Sequence, residues 1–283
     1  MRYPEYFAKC IPELFIFGRF GFRLHAQMIT GPKCDFTGIR EKLVRAKQNI
    51  LNLQIEIDRF LQGGEYPTFP DNDQELLLKA ISYHKNRVIP LRFSVLAGEI
   101  IHHLRSCFDH IVWQFSRQSY REAKPTKIEF PVQEVRPINK KVLTGYERYV
   151  KGVFNPGALI LIEMFQPHNS PDPPDSPLLI IHKMDIMDKH RELVLCASTG
   201  ALQLPMDAIY RYLRYQYGES GSAPVDLGDE FQRHGKIVPQ ISFKQFGGRE
   251  IEPVVQGLAE LHNFTIKAVN MFENLIQFDG SDC

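Results

Sequence analysis

The chain has 283 residues, with 34 Lys plus Arg against 33 Asp plus Glu, so its formal charge is +1. Hydrophobic residues at 43% and charged residues at 24% are ordinary for a globular protein, and 20 Phe with 11 Tyr exclude a mainly disordered chain. Near neutrality argues against a cationic protein that coats nucleic acid, so any basic footprint has to be local.

Residues 1–35 show no clean periodicity and are punctuated by Pro4, Pro12, Gly18, Gly21, Gly31 and Pro32. They read as an irregular N-terminal arm. Its apolar part, 11–22, is broken by Glu13 and Arg19 with Arg23 close behind, which is unlike a signal peptide. From 36 onward Ile39, Leu43, Ala46, Ile50, Leu53, Ile57 and Phe60 recur at steps of three and four. That spacing predicts an amphipathic helix, ended by Gly63-Gly64. A Pro/Asp/Asn loop follows, and 74–87 fits either a short helix or a strand.

Pro90 opens the strongest segment, a helix of about 28 residues. Val95, Leu96, Ile100, Leu104, Phe108, Ile111, Val112 and Phe115 form its apolar face, and Gly98 weakens it by about 1 kcal/mol relative to Ala. Residues 120–145 are basic and loop-like, with KIEFPV (127–132) as a candidate short strand. A helix is expected near 155–165, a proline-rich loop at 170–177, and another helix from Leu178 that ends in Asp188-Lys189-His190-Arg191. The pattern then changes to period two. ELVLCAS, AIYRYLRYQYG and IVPQISFKQF read as strands, and Val254, Leu258, Leu261, Ile266, Val269, Phe272 and Leu275 predict a closing helix.

The fold class is therefore mainly α. An antiparallel helical bundle is expected over 36–191, a small antiparallel β-rich insertion over 192–250, and a C-terminal helix returning to the bundle over 251–283. The five cysteines, Cys10, Cys34, Cys107, Cys196 and Cys283, contain no Cys-x-x-Cys pair. They fit free thiols in a reducing compartment, and no apolar run reaches the roughly 18 residues of a membrane span. The expected location is the cytoplasm, away from membranes.

Chemistry concentrates in Leu104-Arg105-Ser106-Cys107-Phe108-Asp109-His110. Five helical residues turn through about 500°, leaving Arg105 and His110 about 140° apart around the axis. One helix gives a loose pair. Two such helices packed across a symmetry axis would bring two pairs into one cleft. A His that moves a proton and an Arg that steadies developing phosphate charge suit metal-independent RNA cleavage, with no cofactor.

Arg-x4-His on a long bundle helix resembles the signature of the HEPN superfamily. Leu91-Arg92-Phe93-Ser94-Val95-Leu96-Ala97-Gly98-Glu99, the Leu-Arg-Ser-x-x-Asp-His core, Trp113 and the distal Asp188-Lys189-His190-Arg191 extend that likeness to a group of bacterial HEPN-like proteins, over about residues 36–200. The resemblance implies a homodimer with Arg105 and His110 at its interface. It also implies a metal-independent endoribonuclease like those acting as toxins or phage-defence effectors, with a cognate antitoxin or regulator as a partner. Ser106 occupies the position where members often carry Asn, His or Asp. Glu99, Ser106, Asp109, Asp188, His190 and Arg191 are the supporting candidates.

Each feature also has a plainer reading. A buried Arg and His can pair with Glu99, Asp109 or Asp188 as a structural network, leaving a catalytically silent HEPN-like module that uses the dimer groove for RNA, a nucleotide or a protein. Lys, His and Arg at the end of a helix complement its dipole. Tyr210, Arg211, Tyr212 and Arg214 would form a base-stacking platform on a strand, or only ordinary strand packing. The basic run Lys124–Lys141 reads as an RNA track or a solvated loop. Glu99-x-x-His102 is half of a di-iron motif, but a second copy is lacking, so no metal ligands are assigned. No P-loop, dinucleotide fingerprint or nucleophile elbow is present.

Overall fold

A computed structural model describes residues 34–62, 88–136, 149–191, 193, 195–203, 210–212, 236–244, 246 and 252–278. Side chains of 197–203 and 236–239 lie outside that description. The expected loop and helix-or-strand segment at 63–87, Arg214, and 1–33 of the arm also fall outside the described residues.

The periodic segment after Phe36 forms α1, Thr37–Gln62. Its turn of entry is fixed by Asp35, whose Oδ1 accepts the Thr37 N–H at 2.9 Å. Ile39, Leu43, Ala46, Ile50, Leu53 and Ile57 are all buried, as their spacing requires. The central helix α2 runs Leu91–Gln114, 24 residues rather than about 28. It stops early because the chain at 115–117 pairs elsewhere. Phe115 O accepts the Phe154 N–H, Gly152 O accepts the Arg117 N–H, and Ser116 bridges to Val153. A short helix α3, Gln118–Ala123, follows. Phe93, Ala97, Ile101 and Cys107 join the predicted apolar face of α2, whereas Val95 is 52% exposed and turns away from it.

KIEFPV is not a strand. A single 3-10 turn spans Pro125–Lys127, and 128–133 is extended chain without a ladder partner. Helix α4, Pro156–Met164, is capped by Asn155, whose Oδ1 accepts the Ala158 N–H at 3.0 Å. The proline-rich loop contains 3-10 turns at Pro167–Asn169 and Pro173–Asp175 and leads into α5, Pro177–His190.

A three-stranded antiparallel sheet comes before the last helix, in the order β1 (Leu195–Gln203), β2 (Lys236–Phe243), β3 (Glu252–Pro253). Pro239 has no N–H to donate, and its partner Thr199 lies where the β1–β2 register slips. Strand β3 pairs with β2 only at Ser242 and Phe243 among the described residues. The expected strand AIYRYLRYQYG is corrected where it is described. Residues 210–212 are helical, so Tyr210, Arg211 and Tyr212 do not alternate along a pleat. The C-terminal helix α6 occupies Val254–Phe278, directly after β3; 251 and 279–283 of the expected helix lie outside the described residues.

Helix α6 packs against α1, α2, α4 and α5. The core at this junction is a chain of phenylalanine contacts. Phe108 meets Phe130 edge-on with centroids 5.1 Å apart, Phe130 meets Phe272 at 6.3 Å, and Phe165 stacks on Phe272 at 5.9 Å. These rings lock α2, α6 and the 128–133 segment together, which matters below because that segment carries the partner of Arg105.

Candidate functional site

Helix α2 lies between α1 on one flank and α5 on the other. Its inner flank holds Arg105, only 4% exposed. A buried guanidinium needs a countercharge and acceptors. Arg105 Nη1 sits 2.7 Å from Asp109 Oδ1, one helical turn on, and Nη2 donates to Phe130 O at 2.9 Å. Asp109 Oδ1 in turn accepts the Phe130 N–H at 2.8 Å. The pair thus grips both polar groups of one peptide-linked residue, supplying the hydrogen bonds that a strand neighbour would have given 128–133. Burial pushes the Asp109 carboxyl above its ordinary range, although Arg105 and the Phe130 N–H pull the other way. Behind this clamp stands His182 of α5, whose pKa is lowered to about 4 by burial and then by the Arg105 charge.

His110 points the other way. It is exposed on the outer face of α2, and burial together with Lys42 lowers its pKa. The 140° offset read from the sequence is what separates the two residues. Within one chain the structure brings Arg105 together with Asp109 and does not bring it to His110.

The outer face of α2 carries Val95, Glu99, His102, His103, Ser106 and His110 at helical spacing. Along the α1 flank, Lys42 and Arg45 face His103, and both lower its pKa, burial contributing more. Neither Lys42 nor Arg45 has an ion-pair or hydrogen-bond partner among the described residues. Ser106 is half-buried on the same face. This end of the face is a cationic strip with two histidines.

The α5 flank is different. A cleft of about 510 Å³ opens there, lined by Ser94, Val95, Glu99, His102, Asp188, Arg191 and Leu193. Glu99 Oε2 accepts from Asn49 Nδ2 at 3.2 Å. His102 Nδ1 lies 3.2 Å from Asp185 Oδ1, and the other Asp185 oxygen accepts from Lys189 Nζ at 2.6 Å. Asp185 is buried, so it fixes the His102 ring while leaving Nε2 toward solvent. Burial, then Asp185, raises the Asp188 pKa. Gly98 makes this arrangement possible. A Cβ there would lie 2.1 Å from Asp188 Oδ1, so the glycine that costs helix propensity is the floor on which the carboxylate rests.

Of the distal tetrad, Asp188 and Arg191 reach the cleft, Lys189 is tied to Asp185, and His190 is exposed at the end of α5. Arg191 closes that helix, its N–H bonding Met187 O at 2.8 Å. Tyr210 is exposed and lies in helical backbone, outside the described strands. No group of three or more His, Cys, Asp or Glu among the described residues is arranged to hold a metal ion, including Glu99 with His102. No described helix is long and apolar enough to cross a membrane.

Sequence reasoning missed Lys42, Ser94 and the His102–Asp185 pairing. The available signal was positional. Asp185 and Lys189 stand four apart, and Lys42, Arg45 and Asn49 share one side of α1. Comparison with protein-family models, with curated proteins and with solved structures finds no match.

Proposed function

We propose that this protein is a HEPN-like helical module that binds RNA without cleaving it, acting in the cytoplasm as a homodimer. One observation carries the reading. The Arg105 guanidinium is spent on Asp109 and Phe130 inside the chain, so a phosphate reaching it would have to break a buried clamp. The Arg-x4-His spacing then serves folding on one side and binding on the other. RNA is supported as the ligand by Lys42 and Arg45, two cations beside His103 and His110 that have no carboxylate partner among the described residues. A local strip of this kind reconciles phosphate binding with a net charge of only +1.

The test is incubation of purified protein with mixed RNA in EDTA, alongside a titration with labelled single-stranded RNA. Intact RNA and saturable binding are expected. Two phosphate contacts would give a log–log salt slope of about −1.4. The double substitution K42E/R45E should remove binding and leave the fold unchanged. RNA cleavage abolished by both Arg105→Ala and His110→Ala in folded protein would overturn the reading.

A second reading, a metal-independent endoribonuclease with an antitoxin or regulator to restrain it, rests on one specific observation. His110 is exposed, and burial followed by the Lys42 charge lowers its pKa, which favours the neutral form a general base requires; Lys42 rather than Arg105 would then face the phosphate. In that case cleavage in EDTA depends on His110 and Lys42 and survives Arg105→Lys.

A further inference from the structure

We infer that the cleft between α2 and α5 binds an organic cation, a primary ammonium or guanidinium group on a short aliphatic stem. This goes beyond the RNA reading and is independent of it, because two carboxylates in the cleft repel phosphate.

Glu99 and Asp188 both line the cleft, and neither forms an ion pair among the described residues. Asp188 is half-buried and has no hydrogen-bond donor among the described residues; burial and the like charges of Asp185 and Glu99 act against its ionised form, and only the fields of His102 and Lys189 favour it. Arg191 stands at the rim without coming within ion-pair distance of either carboxylate. Lys189, the other nearby cation, is held by Asp185. Two carboxylates against one rim arginine leave the cleft with net negative charge among the described residues.

A second and independent feature points to a ligand. Ser94 is 9% exposed, lines the same cleft, and its hydroxyl has no hydrogen-bond partner among the described residues. A serine this buried ordinarily bonds a carbonyl one turn back, as Ser116 does to Val112 O at 2.8 Å. Ser94 instead keeps its oxygen for the cleft, where it accepts an N–H. The remaining lining, Val95 and Leu193, is apolar and suits methylene groups. Because no set of described side chains is arranged for a metal ion, the geometry favours a cation that supplies its own N–H donors.

The test is calorimetric titration of the full chain with agmatine and with putrescine, using butyrate as the anionic control. Saturable binding of a cation at one site per chain is expected, with no heat from butyrate. Glu99→Gln combined with Asp188→Asn should weaken binding at least tenfold while RNA affinity and melting temperature hold. Ser94→Ala should weaken it several-fold, a variant that tests the site even if the carboxylate pair proves necessary for folding. Gly98→Ala, which displaces the Asp188 carboxylate, should weaken binding as well. Absence of saturable binding by both cations, or wild-type affinity in E99Q/D188N and S94A alike, would overturn the proposal.

Discussion

Arg105 and His110 belong to one short motif on one helix, yet they live in different worlds. Arg105 is sealed against α5 and the 128–133 segment, with the Asp109 carboxylate beside it as countercharge and Phe130 O as acceptor. His110 faces solvent beside the Lys42 cation. The difference teaches that residue types suited to catalysis say nothing about which side of a helix they serve. The same division recurs across the outer face of α2, where, among the described residues, the α1 flank collects cations without ion pairs and the α5 flank carboxylates without ion pairs.

The largest expected effect tests the inward side. Arg105→Ala leaves Asp109 half-buried without its countercharge and Phe130 O without its donor, and should cost about 3–5 kcal/mol in urea unfolding. Arg105→Lys keeps the charge but not the two-pronged grip, and should lose about 1–2 kcal/mol. A change below about 0.5 kcal/mol for Arg105→Ala would break the contrast, by showing that the clamp does not stabilise the fold.

Acid provides the next test. His182, beside Arg105, has its pKa lowered to about 4, against an ordinary 6.5 in the unfolded chain. Above 6.5 neither state binds a proton there. Between 6.5 and 4 only the unfolded chain does, so stability falls as pH falls through that window and levels off below it. The loss is at most about 3 kcal/mol, since His182 is not fully sealed. Unfolding measured across that pH range should flatten in His182→Gln.

Smaller effects are expected on the outer face. Gly98→Ala recovers about 1 kcal/mol of helix propensity but forces the Asp188 carboxylate aside, so the net change in melting should be slight. His110→Ala should lie within about 0.5 kcal/mol of wild type, as surface changes usually do. A His110→Ala loss comparable to that of Arg105→Ala would mean the outer side is structural too.

Much of the architecture was legible in the sequence. The three-and-four spacing of Ile39 to Ile57 and of Leu258 to Phe272 reports burial directly, because an amphipathic helix has only one way to hide such a stripe. The small sheet before the last helix was legible for the same reason, through β-branched and aromatic runs near 195 and 240. The tyrosines near 210 were not. Alternating Tyr and Arg satisfy a strand and a short helix equally, and local pattern offers nothing to separate them.

By itself, the sequence determined the helices, the sheet and the angle between Arg105 and His110, since these depend on backbone geometry and on residues within a turn or two of each other. Only the tertiary structure decided what each residue serves. Whether Arg105 meets Phe130, whether Gly98 makes room for Asp188, and whether Lys42 stands beside His110 all depend on residues 20 to 90 positions apart being brought into contact. Those contacts follow from how apolar stripes pack, and packing decides which face of a helix remains to touch a ligand.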